Sequence, residues 1–78
     1  MNRSQLIKKL NELYFNAKDK ETAVMIHLFG IKYADILKEH GSLKMLAEEA
    51  GIPASYATEI SKGMKLSDFV DIQSHVKI

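Results

Sequence analysis

The sequence predicts an all-α domain, a small helical fold of four to five helices, and three observations carry that prediction. Apolar residues recur at spacings of three and four through most of the 78 residues, the period of a helix with one buried side. Stop and start residues stand back to back at His40-Gly41-Ser42, a last-turn histidine, a left-handed cap and an N-cap in succession. A second break, Gly51 to Pro53, divides the following stretch into two short helices joined by a tight turn. One domain follows, with an N-terminal helical pair over 1–40, the helix, turn and helix over 42–65, and a short closing segment over 66–78.

The first element is expected to start at Ser4 as N-cap and to run to about Ala17. Leu6, Ile7, Leu10, Leu13, Tyr14 and Ala17 form one apolar stripe, with Lys8 and Glu12 on the solvated side. The polar run from Asn16 to Lys20 then offers Asp19 as the next N-cap, with Glu21 in the first turn. A long second helix is expected from about Lys20 to Glu39.

In that helix Ala23 to Ile31 is apolar almost all round, interrupted by His27. The polar side marked by Lys32, Asp35 and Glu39, projected back in steps of three or four, reaches Leu28, Met25 and Glu21. Met25 and Leu28 thus fall on an otherwise solvated face; either the remaining segments of the chain cover them, or they form an exposed apolar patch of the kind that marks a partner surface. Gly30 lowers helix stability by about 1 kcal/mol relative to Ala, and is expected at a crossing point or bend.

Between 42 and 65, Leu43, Leu46, Ala47 and Ala50 face inward at helical spacing, opposite Lys44, Glu48 and Glu49. Gly51 gives the backbone freedom needed after a helix end, and Pro53 is pre-set for the first turn of the next helix. That helix is expected to bury Ala57 and Ile60 with part of Tyr56, and to stop at Lys62-Gly63. Beyond it, Ser67 is a candidate cap for a short helix over Asp68 to Gln73 with Phe69 and Val70 turned inward, and the terminal HVKI alternates as a strand would.

The stretch 42–65 resembles the helix-turn-helix of the phage-repressor-like, Cro-type superfamily. Ala47 matches the small residue where the two helices cross, Gly51 the turn glycine four positions on, and Ile52 the apolar residue after it. Ala57 and Ile60 match the inward pair of the second helix, and Ser61-Lys62-Gly63 resembles its exit. Ala57 is smaller than the branched residue usual there, and Pro53 replaces a polar cap. The resemblance implies double-stranded DNA as partner, read by the second helix lying in the major groove. Carried over, Ala54, Ser55, Thr58, Glu59 and Lys62 lead or line that helix, with Lys44 and Lys65 near the phosphate backbone. A homodimer reading two half-sites is expected through the helix that carries Met25 and Leu28.

Composition bounds these expectations. The chain is 46% hydrophobic and 27% charged, as ordinary folded domains are. Eleven basic residues meet ten acidic ones for a net charge of +1; DNA attraction must then come from local placement of lysines rather than from the whole field. With no cysteine there is no thiol or zinc-thiolate chemistry, which suits a cytoplasmic setting. No apolar run approaches the ~20 residues of a membrane span, and the opening MNRSQLIKKL has no signal core.

Catalytic constellations are missing from the pattern. His27, His40 and His75 lie far apart without carboxylate or thiol at metal-ligand spacing, Ser55 and Ser61 lack a histidine motif, and the adjacent Glu48 and Glu49 point apart on a helix. No cofactor, metal or small-molecule substrate is expected, and the sequence reads as a non-enzyme. A small bacterial or phage transcriptional regulator is the expected function. The alternative is a protein-interaction module using the apolar face around Met25 and Leu28.

Overall fold

In the computed structural model, which describes residues 1–78, the first helix, α1, spans Arg3–Phe15. Its cap is Asn2, not Ser4. The Asn2 side chain accepts from the Gln5 amide at 2.9 Å and the Gln5 side chain accepts from the Asn2 amide at 2.9 Å, so two orphan donors are satisfied reciprocally. Ser4 has no such partner three residues on and sits exposed inside the helix. Leu6, Leu10 and Leu13 are buried as the stripe predicted, and the helix closes at Phe15, before Ala17.

The expected long second helix is two elements. Lys20 takes a left-handed φ of 66°, and α2 begins only at Thr22, without a side-chain cap, so Asp19 does not cap it. Helix α2 (Thr22–Lys32) ends at Tyr33, where ψ is 20°, and a single turn, α3 (Ala34–Leu37), follows. The buried positions Ile26, Phe29, Gly30, Tyr33, Ala34 and Leu37 keep helical spacing across this break. The apolar period therefore carries no mark of it. Gly41, at φ 72°, turns the chain, and the Ser42 hydroxyl accepts from the Met45 amide at 3.2 Å, as read from the sequence.

Helix α4 (Leu43–Glu49) buries Leu46 and Ala47. Its exit is a Schellman turn: the Ile52 amide donates to the Ala47 carbonyl at 3.1 Å and the Gly51 amide to Glu48 at 3.0 Å. This requires the positive φ of Gly51, 77°. Pro53, extended at ψ 135°, caps a 3-10 turn over Ala54–Tyr56 that runs directly into α5 (Ala57–Leu66).

Helix α5 does not stop at Lys62-Gly63. It passes through Gly63, which is buried, and ends at Leu66. A Cβ on Gly63 would lie 2.2 Å from the His27 carbonyl oxygen and 2.9 Å from the Gly30 Cα; one on Gly30 would lie 2.4 Å from the Ile60 carbonyl oxygen. Both glycines are therefore required by the crossing of α2 and α5, which touch backbone to backbone. Gly30 is the crossing residue the sequence suggested, and Gly63 is its counterpart.

After Leu66 the expected short helix and terminal strand do not form. The Ser67 hydroxyl donates back to the Met64 carbonyl at 2.5 Å, closing α5 instead of capping a new helix. Phe69 and Val70 are turned outward, 84% and 45% exposed. The tail returns so that Ile78 packs on the core, its carbonyl accepting from the Lys32 ammonium at 2.7 Å.

One core joins these elements. Leu6, Leu10 and Leu13 of α1 meet Ile26 and Phe29 of α2, Leu46 and Ala47 of α4, Ile52 of the turn and Ile60 of α5. The result is an all-helical domain in which α4, a tight turn and α5 follow one another over that core.

Candidate nucleic-acid interface

The outward side of α5 is set by what its inward side must bury. Ile60 and Gly63 face α2, so Thr58, Lys62 and Lys65, at spacings of four and three, stand on one exposed stripe. Ser55, in the 3-10 turn just before it, is also exposed, and Ala54 beside it is half-buried. Lys44, in the first turn of α4, is exposed. Neither Lys44 nor Lys65 has an acidic partner in the domain. Of the residues marked in the sequence, Ser55, Thr58, Lys62 and Lys65 thus share one side of a single rod.

Glu59 differs from the others. One carboxylate oxygen accepts from the His27 ring Nε2, and the other takes the Lys62 ammonium at 3.3 Å. The hydrogen bond from His27, then the bond and charge of Lys62, hold this carboxyl below its ordinary range, against a partial loss of water that pushes the other way. Both oxygens that would accept from a cytosine amino group are engaged within the domain. His27 was legible only as a polar break in an apolar helix; its partner lies on another element, and sequence spacing does not report such pairs.

Three further contacts from α1 hold α4 and the segment after it in place. Arg3 of α1 forms a two-point ion pair with Glu49 at the end of α4 and donates to the His40 carbonyl at 3.0 Å. The Arg3 bond holds the Glu49 carboxyl below its ordinary value, and Glu49 in turn raises that of Arg3. The Asn11 amide donates to the Ala50 carbonyl at 2.9 Å, satisfying a carbonyl at the α4 end. Tyr56 stacks edge-on against Tyr14 at 5.1 Å between centroids, and burial, with Tyr14 close by, raises its hydroxyl pKa.

On α2, Met25 packs against the core and Leu28 is half-buried. The exposed part of that helix face is Ala23 and Val24. No three His, Cys, Asp or Glu side chains converge where they could hold a metal ion, and no helix is long and apolar enough to cross a membrane.

The order of these elements agrees with a comparison against known families. A family model described as an HTH-like domain matches residues 2–73. The chain belongs to the HTH-like domain family. The match to this family starts at the Asn2 cap and takes in all five helices, so the HTH-like unit is the whole helical fold and not the α4–α5 pair alone. No curated protein and no solved structure matched the chain.

Proposed function

We propose that this HTH-like domain binds double-stranded DNA sequence-specifically and acts as a small transcriptional regulator, with α5 in the major groove. The observation that carries this reading is the α5 stripe. Ser55, Thr58, Lys62 and Lys65 project from a rod whose other side is fixed by the α2 crossing. A rigid helix presenting hydroxyls and ammonium groups suits base edges and phosphates together. Ser55 and Thr58 are assigned to base edges or nearby phosphates, Ala54 to a thymine methyl, Lys62 to guanine or phosphate, and Lys44 and Lys65 to the backbone. Glu59 is assigned a positioning role, aligning Lys62 and tying α5 to His27, in place of the cytosine contact that the resemblance implied. The likeness of 42–65 to the phage-repressor-like superfamily supports the same docking.

A homodimer reading two half-sites belongs to the proposal, through α2 at Leu28 with the exposed Val24 one turn before it and Met25 beneath. Sedimentation of the free protein as a monomer at high micromolar concentration would count against that dimer, though not against DNA binding by one copy.

The test is the affinity for a labelled mixed-sequence duplex, followed by anisotropy across a salt series. Phosphate contacts release counterions, so affinity is expected to fall steeply as salt rises. Lys62→Ala should weaken binding and reduce the slope by about one counterion if Lys62 holds a phosphate, with its melting temperature unchanged because the side chain is exposed. Binding that ignores salt, or no binding in dilute buffer, would defeat the proposal and favour the protein-interaction reading.

A further inference from the structure

Phe69 lies three residues beyond the end of α5 and leaves 84% of its surface in water, more than any other large apolar side chain of the protein. Leu66, at the helix end, is 41% exposed. Together they border a shallow, largely apolar depression whose other walls are His27, Lys62 and Lys65. Val70 belongs elsewhere, beside Ile31 and Lys32. The exposed ring is thus set among the cations of the α5 stripe.

Those cations decide between occupants. In a two-fold contact between copies seated on this depression, the Lys62 and Lys65 cations of one copy would be gathered into the same interface as those of the other. Glu59 is already bonded to His27 and Lys62, and neither it nor the exposed Asp68 beside Phe69 pairs with Lys65. An anionic partner with flat apolar surfaces of its own avoids this repulsion. Duplex DNA is such a partner, because phosphates alternate with sugars along the edge of stacked bases.

We propose that Phe69 is an apolar DNA contact at the C-terminal end of the α5 stripe, seated against sugars and bases next to the phosphates held by Lys62 and Lys65. The inference rests on the DNA-binding reading given above. Apolar side chains that press on or between base steps are a recurrent device of DNA-binding proteins, and an aromatic ring buried against sugars and base edges gains free energy by leaving water. Phe69 therefore adds affinity with little sequence preference. Its contribution does not depend on salt, since no counterion is released when a neutral ring is buried.

The experiment uses the full chain, a labelled mixed-sequence duplex and two variants. Phe69→Ala is expected to bind about tenfold more weakly, the scale of burying part of an aromatic side chain, with the salt slope and the melting temperature of the parent. Phe69→Trp introduces the sole tryptophan of a chain that has none, and its emission is expected to be quenched or blue-shifted when duplex is added. If the parent binds DNA with normal salt dependence while Phe69→Ala binds equally well and Phe69→Trp emission stays fixed, the Phe69 contact is wrong and the DNA-binding reading stands. If the parent fails to bind duplex at low salt, that reading fails and the Phe69 contact with it. If Phe69→Trp emission instead changes with protein concentration in the absence of DNA, a second copy covers the ring and the proposal is overturned.

Discussion

A methyl group added at Gly63 would sit 2.2 Å from the His27 carbonyl oxygen, a backbone atom with no room to retreat. Gly63→Ala is therefore expected to cost about 3 kcal/mol, the upper part of the range for overpacking, read as a lowered denaturant midpoint. A variant that melts like the parent would mean that α2 and α5 do not touch there. The sequence alone suggested a helix cap at this position. A glycine after a lysine looks the same whether it ends a helix or lets another helix approach; what decides is Gly30, which lies on a different element. Charged residues bring a second expectation. Glu49 and Glu59 both have folded pKa values below their ordinary ones, through Arg3 and through His27 with Lys62 respectively. The unfolded chain then binds more protons than the folded one in the acid range, so stability rises with pH there. The contribution is full above the ordinary carboxylate pKa and is lost as pH falls through the lowered values. The denaturant midpoint should drop as pH falls below the ordinary carboxylate range of about 4 to 5, and Glu49→Gln should remove part of that drop. An unchanged pH dependence in Glu49→Gln would show that the Arg3 pair contributes nothing, as happens for many exposed ion pairs.

At the level of elements, the best-read features are those written in consecutive residues. Ser42 caps α4, Gly51 turns the chain at positive φ, and Ala47, Ile52 and Ile60 are buried; each rests on local chemistry within a few positions. Ala47→Leu should overpack the α4 crossing, losing about 1–3 kcal/mol, with loss of cooperative melting if the core cannot adjust. A parent-like melt would misplace the helix-turn-helix. Less legible features depend on competition between neighbours. Asn2 outdoes Ser4 as a cap because Gln5 reaches back to it; Asn2→Ala should then cost about 1 kcal/mol and Ser4→Ala almost nothing, which chemical denaturation distinguishes. The break at Tyr33 was hidden because the apolar spacing runs through it. The tail failed to become a helix because Ser67 bonds backward, leaving Phe69 and Val70 in water.

For the molecule as a whole, α1 and α2 act as a brace. Arg3 and Asn11 fasten the end of α4, while the Gly30–Gly63 crossing fixes the roll of α5 about its own axis. With that roll fixed, the side chains α5 offers to a partner are also fixed. Ser55, Thr58, Lys62 and Lys65 are marked in the chain through its resemblance to the phage-repressor-like helix-turn-helix, and all four are exposed. The engagement of Glu59 by His27 and the exposure of Phe69 could not be read from the chain, because both arise from packing between segments remote in sequence. The near-neutral charge of the chain places the burden of DNA attraction on a few lysines.

The central claim is that the outer stripe of α5 touches DNA, and a titration with mixed-sequence duplex followed by amide NMR tests it most directly. At low salt, shifts should concentrate between Ala54 and Lys65, with a weaker set at Lys44, and should fade as salt rises. No shifts between Ala54 and Lys65 at low salt would contradict it.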